Sequence, residues 1–444
     1  MNWLIAAVVA LSFSGLGYIV VRLTHGRSAG ITPLGAFLTA WILAVFLYVA
    51  NPFGLYRLGA LGTLVVALGI GSFVAAYSSV ALFTNSRAGR TGVSDPLHHK
   101  TQVEVTASLW KWCRRLWVPL FALFLVQIHA YSASSITSLL ARLRVNLSAG
   151  SAPLGFYFFY LAQISVPLGA VLFLETRERK YAWWTLIASI ALLFTSGRTN
   201  ILIALASVVF ILILWGRLRV TRRRIGAVLL SLIAALWLFN YVGNGIGKTY
   251  ENSQLYGTFG NSPPVPAFLV QPLFYLGGPL PYLGDLVRTA PVNGSDHGSN
   301  IARPFLQGAA IVLPIKAPTK IQEFRSIPFP TNLGTYMSPL YRDFGVIGVV
   351  LGSALFGALS ATAWAAWRRR NSPLSLTVVG VVLVFCAGSI LDAGYTELWF
   401  VLFLALVGLS SRSARRRALK AGKRTDSDQR SARPARQSVK NSAS

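Results

Sequence analysis

Long apolar blocks, each about 20 residues and nearly free of charge, alternate along this chain with short basic clusters. That alternation limits the fold more than any other feature. A backbone crossing hydrocarbon must satisfy its own N–H and C=O groups, so it forms either helices or a closed barrel. A barrel needs strands of about ten alternating residues, and no such pattern occurs here. The chain therefore reads as all-α, a polytopic integral membrane protein of about eleven transmembrane helices. The expected spans are 3–21, 31–50, 58–83, 116–131, 153–174, 181–194, 201–215, 225–246, 344–367, 374–390 and 395–409. The first block lacks a basic start and a cleavage site, so it reads as a permanent span rather than a signal peptide.

The formal net charge of +28 in 444 residues becomes informative once the charges are placed. Of 41 Lys and Arg, 30 fall in alternate connections and the C-terminal tail, including Arg177/Arg179/Lys180, Arg217 to Arg224 and Arg368/Arg369/Arg370. By the positive-inside bias those connections are cytoplasmic, which puts the C-terminus inside and, with eleven spans, the N-terminus outside. The basic excess is thus a topology signal with membrane lipids as its partners, and nucleic acid is excluded. Residues 1–410 form the transmembrane domain. Residues 411–444, rich in Ser, Ala, Arg and Lys, form a cytoplasmic tail expected to be disordered. The two cysteines, Cys113 and Cys386, have neither disulfide context nor metal-ligand spacing.

Two places depart from a plain bundle. The spans at 181–194 and 201–215 have both outer flanks fixed in the cytoplasm by basic clusters. About 36 residues separate those flanks, barely enough for two crossings at 1.5 Å per residue. The turn from Thr195 to Asn200 must then lie at the outer surface, with Gly197 permitting it and Arg198 near the hydrocarbon edge. A cation there snorkels, pairs, or binds an anion. The other departure is residues 248–339, an extracytoplasmic loop far longer than a connection requires. Its Pro/Gly-punctuated apolar stretches suit short amphipathic helices roofing a cavity. Arg342 and Asp343 follow directly. Then come Gly345, Gly348, Gly352 and Gly357, whose spacing suits close helix packing.

An outer-leaflet cavity with several arginines suits a phosphate-bearing lipid, because guanidinium grips phosphate oxygens bidentately. In glycosyl transfer from a lipid pyrophosphate, Arg198, Arg288, Arg303 and Arg342 are the candidates to stabilise the departing pyrophosphate. Asp285, His297 and Asp343 are the candidates to take the proton from the attacking hydroxyl. Gln127, His129, Asp392 and Glu397 fit ordinary packing or solvated turns better than chemistry.

Three features together resemble the O-antigen polymerase-like family, and more narrowly the oligosaccharide repeat-unit (Wzy-like) polymerases. They are the Ser196-Gly197-Arg198-Thr199 turn opening an apolar helix, the late large loop, and Tyr341-Arg342-Asp343-Phe344-Gly345 leading into a glycine-rich span. The resemblance covers roughly residues 150 to 410. It implies a glycosyltransferase of the bacterial cytoplasmic membrane, joining undecaprenyl-pyrophosphate-linked repeat units at the outer face during surface polysaccharide (exopolysaccharide) biosynthesis. It further implies no metal and no cofactor, with a flippase and a chain-length regulator as partners. By motif it carries Arg198 and Arg342, and by location in the loop Arg288, Arg303 and His297. The external N-terminus departs from the even-span topology of that family. An O-antigen ligase or other lipid-linked-sugar glycosyltransferase remains open, as does a flippase or transporter. A transporter would carry inverted repeats and charged or broken helices near the midplane, and the apolar blocks here are nearly charge-free.

Overall fold

The computed structural model describes residues 2–25, 31–88, 96–129, 154–194, 198–216, 254–310, 313, 323–391 and 401–408. Helices dominate it. In chain order they are α1 (Asn2–His25), α2 (Pro33–Ala50), α3 (Ala60–Ala88), α4 (Pro96–His129), a 3-10 turn (Leu154–Tyr157), α5 (Phe158–Thr176), α6 (Arg179–Leu193) and α7 (Arg198–Leu214). The long loop then supplies α8 (Gln254–Phe259), α9 (Ala267–Gly277), α10 (Pro279–Thr289) and α11 (Ser299–Ala310), followed by the two-residue strands β1 (Arg325–Ser326) and β2 (Pro330–Thr331). Helices α12 (Met337–Arg370) and α13 (Pro373–Gly388) close the bundle.

Four described helices are long and apolar enough to cross a membrane: Pro33–Ala50, Ala60–Thr84, Gly155–Thr176 and Met337–Arg370. Three shorter apolar stretches, Ser14–Leu23, Asn200–Leu214 and Pro373–Gly388, accompany them. The expected span 225–246 lies outside the described residues, as do 395–400 and the 411–444 tail, while residues 401–408 are helical and place Phe403 in the core. Residues 116–129 of the expected 116–131 span form the second half of α4. Hydropathy falls at Lys111, Arg114 and Arg115, but helical hydrogen bonding runs through them. At 1.5 Å per residue α4 is about 50 Å long, well beyond a hydrocarbon core of about 30 Å. Arg114 lies over the Trp110 and Trp184 rings, at 5.0 and 4.9 Å.

Helix α5 is apolar all round and buried along most of its length, as befits a central helix. α4 runs antiparallel beside it. His99 meets Glu175 at one end (3.3 Å), and Phe124 meets Phe158 at the other. α12 lies along α3 in the same direction, Gly69 facing Val349 and Phe73 facing Gly357. An aromatic core of Phe37, Trp41, Phe73, Tyr336 and Phe356 joins α2, α3 and α12.

α12 is not one rod. Phe344 (φ −141°, ψ 18°) and Gly345 (φ 61°, ψ −144°) break it, and the arm before the break folds back along the helix after it. Tyr336 hydrogen-bonds Ser353 through their hydroxyls at 2.9 Å. Leu340 packs on Gly348 and Gly352, where a Cβ would meet it at 2.4 Å. Residues twelve apart in a continuous helix stand about 18 Å apart, so these contacts require a helical hairpin. Its outward face, Ile347, Leu351, Leu355 and Leu359, is exposed apolar surface that suits hydrocarbon rather than water. The glycines expected to promote packing do so here: Gly348 and Gly352 admit the folded-back arm, and Gly357 admits the Phe73 backbone.

Candidate functional site

The loop helices are built into one end of the bundle. α10 buries Leu280, Tyr282, Leu283, Leu286 and Val287 and turns Asp285, Arg288 and Thr289 outward. Its apolar face meets the start of α3, where Gly62 approaches the Gly284 backbone within 3.3 Å of a Cβ position. The β1–β2 turn is pinned nearby: Ile327 and Phe329 pack with Phe53, Leu55 and Phe274, and the Tyr56 amide donates to the Ile327 carbonyl at 3.2 Å. Arg325 stands at the head of that turn.

The tip of the α12 hairpin organises the segment between α10 and α11, and each residue of Tyr341-Arg342-Asp343-Phe344-Gly345 has a task there. The buried Tyr341 hydroxyl reaches the Val287 carbonyl (3.4 Å). The Arg342 carbonyl accepts the Ser295 and Asp296 amides (2.6 and 2.9 Å). Both Asp343 oxygens are taken: Oδ1 accepts from the Asn300 amide (3.1 Å) and Asn300 Nδ2 (2.7 Å), and Oδ2 from the Ile301 amide (2.8 Å). A carboxylate there satisfies the open N–H groups at the start of α11 and meets the positive end of its dipole. The Phe344 ring lies against Gly298. Gly345 has no substitute: a Cβ would meet the Val292 carbonyl oxygen at 1.6 Å, and its φ is left-handed.

Around the tip runs a chain of alternating charges. Asp296 takes Arg342 Nε at 2.9 Å, and Arg342 Nη2 stands 3.7 Å from Glu323 Oε1. Glu323 Oε2 is 3.7 Å from Arg325 Nη2, and Arg325 Nη1 is 3.1 Å from Asp285 Oδ2. Asp285 Oδ1 closes the series on Arg288 Nη2 at 2.5 Å. Arg325 Nη1 also donates to Thr289 Oγ1 (2.5 Å), and its guanidinium stands 5.9 Å from the Tyr282 ring centre. Burial works to raise the Asp296 pKa. Hydrogen bonds from Asn300 and Ser295 and the Arg342 guanidinium outweigh it and hold the carboxyl below its ordinary value. Burial pushes the Tyr282 phenol up against the opposing pull of Arg325.

The sequence-derived candidates thus fall into different places. Asp285, Arg288 and Arg342 belong to the charge network. Asp343 sits beside it as a helix cap. Arg303 is buried one turn into α11. His297 is exposed on left-handed backbone (φ 46°) next to Asp296. Arg198 opens α7, while its side chain and the turn 195–197 lie outside the described residues. The end of the bundle where α7 begins follows from its neighbours. Ile211 packs on Gly380, and Ser389, past the end of α13, accepts the Tyr336 amide at the base of the hairpin. Asn200 there accepts from the buried Gln163 of α5 (3.2 Å). Asp392 and Glu397 are outside the described residues, and Gln127 accepts the Gly155 amide at 2.9 Å. Sequence reasoning missed Glu323, Arg325 and Asp296 as a set, because two separate segments meet at the hairpin tip: the β1–β2 turn carries Arg325 with Glu323 just before it, and the connection between α10 and α11 carries Asp296. Among the described residues no three acid, imidazole or thiol groups stand close enough to share a metal ion.

In comparisons with known proteins, the chain matches no family model, no curated protein and no solved structure.

Proposed function

We propose that this protein is a glycosyltransferase that polymerises lipid-linked oligosaccharide repeat units at the outer face of the bacterial cytoplasmic membrane, the growing chain being carried on undecaprenyl pyrophosphate. The observation that carries the reading is Arg342. It lies in the motif on which the family resemblance rests, and Asp296 holds it at the tip of the helical hairpin. A hydroxyl of the incoming unit attacks the anomeric carbon of the chain, the bond to the lipid pyrophosphate breaks, and negative charge grows on the departing oxygens. Arginines oriented beforehand stabilise that charge without reorganising. Asp285 and Asp343 are committed to arginines and to a helix N-terminus. His297, exposed beside the network, is the better proton acceptor. The eleven-span topology, the cytoplasmic tail, and a flippase and chain-length regulator as partners belong to the same proposal.

The test is deletion of the protein followed by sizing of surface glycan. Single repeat units in place of polymer support the reading. Unligated polymer points to a ligase, and loss of all extracytoplasmic intermediates to a flippase. Arg198→Ala and Arg342→Ala should each abolish polymer while the protein still inserts. Full-length polymer from either variant removes that arginine from the site.

A further inference from the structure

We propose that Arg325 and Arg342 form a two-sided clamp for a phosphate or diphosphate group, and that Glu323 is its built-in occupant, displaced when the ligand binds. The inference rests on the polymerase reading for the identity of the ligand, not for the existence of the clamp. Each guanidinium is anchored from behind: Arg342 by Asp296 at 2.9 Å, Arg325 by Asp285 at 3.1 Å and by Thr289 at 2.5 Å. The Thr289 hydroxyl is itself fixed by donating to the Asp285 carbonyl (2.9 Å). Anchored arginines lose little freedom on binding, which is how a supporting shell prepares a binding group.

Their other edges face the same carboxylate. Arg342 reaches one Glu323 oxygen and Arg325 the other, each at 3.7 Å, beyond the 2.7–3.2 Å of a hydrogen bond. The Glu323 side chain is 66% exposed, against 16% for Arg325 and 21% for Arg342. A solvated carboxylate held by two long contacts is weakly bound. The two arginines behind it are not free to follow it. Charge leads the same way. Asp285, Asp296 and Glu323 balance Arg288, Arg325 and Arg342, so withdrawal of Glu323 leaves one positive charge uncompensated. A phosphate diester restores the balance, a diphosphate more than restores it, and either offers more oxygens to two planar forks than a carboxylate does.

Binding of farnesyl diphosphate, inorganic pyrophosphate and phosphatidylglycerol vesicles to the purified full-length protein tests this. Glu323→Gln should tighten farnesyl diphosphate and pyrophosphate by about threefold to tenfold, the range expected for losing a weakly held competitor. Arg325→Lys and Arg342→Lys keep the charge but lose the fork, and should weaken both by about tenfold or more. Unchanged or weaker diphosphate binding in Glu323→Gln overturns the occupant. Tightening confined to phosphatidylglycerol overturns the diphosphate assignment in favour of a membrane headgroup. The two proposals fail separately: tightened diphosphate binding in a protein whose deletion leaves polymer intact keeps the clamp and removes the polymerase.

Discussion

The helical hairpin around Phe344 and Gly345 is held at its base and its tip by opposite means. At the base, Tyr336 is fully buried among Phe37, Trp41 and Phe356. Its hydroxyl meets Ser353 and its amide meets the Ser389 carbonyl. Thr335 and Ser338 cover the local amides: Thr335 Oγ1 accepts the Met337 amide and Ser338 Oγ accepts the Thr335 amide, both at 3.1 Å. Every device there is neutral and closed, as irregular backbone inside a helix bundle demands. At the tip the devices are charged, and one of them is largely open to solvent: Arg342 pairs with Asp296, Asp343 caps α11, and the exposed Glu323 stands between two arginines. One element thus has an end built for permanence and an end built for exchange.

Substitutions can break that contrast. Gly345→Ala should be the most damaging, costing about 3 kcal/mol or more, since left-handed backbone and a displaced Val292 both count against it. Thermal unfolding of the detergent-solubilised protein reads this, and a stability loss under about 1 kcal/mol would show that the turn tolerates a side chain. Asp343→Ala should cost about 2 kcal/mol by uncapping α11. Asp343→Asn should cost less and keep activity, because one oxygen still accepts; an inactive but stable Asn variant would return Asp343 to the role of base. Tyr336→Phe should cost about 1 kcal/mol, one neutral hydrogen bond, with no effect on ligand binding. Altered affinity in that variant would erase the division between base and tip.

The smallest effect concerns pH. The folded Asp296 carboxyl titrates below its ordinary 3.8, so it binds protons less readily than in the unfolded chain. Its contribution is complete above the ordinary value and is lost as pH falls through the lowered one. The stability difference between wild type and Asp296→Asn should therefore be flat near neutrality and vanish in acid. A difference that grows on acidification would contradict the Arg342 pairing.

Much of the bundle was legible because hydrocarbon imposes one solution. Pro33–Ala50, Ala60–Thr84 and Gly155–Thr176 lie close to the blocks hydropathy marks. The start of the 344–367 span coincides with the break in α12, since Arg342 and Asp343 mark where apolar sequence begins. The folded-back arm before it was hidden. Residues 337–343 are too few to register as an element, and a glycine beginning an apolar helix looks like any other. Asp343 stood out as an acid beside a span. Its partners on α11, more than forty residues earlier, are a matter of tertiary structure. Arg325 and Glu323 were visible only as two charges in a mixed loop.

The amide that seats the base of the hairpin has its acceptor at Ser389, beyond the next helix. A nascent chain that has made α12 but not α13 has no partner for it. The long helix is therefore expected to enter the membrane before its short arm finishes docking. α13 serves as the bolt that locks the arm after the frame is standing. A thiol at Ser338→Cys should react freely in chains truncated after residue 371 and become protected in chains that include residue 391; equal protection in both would mean that the arm seats without it.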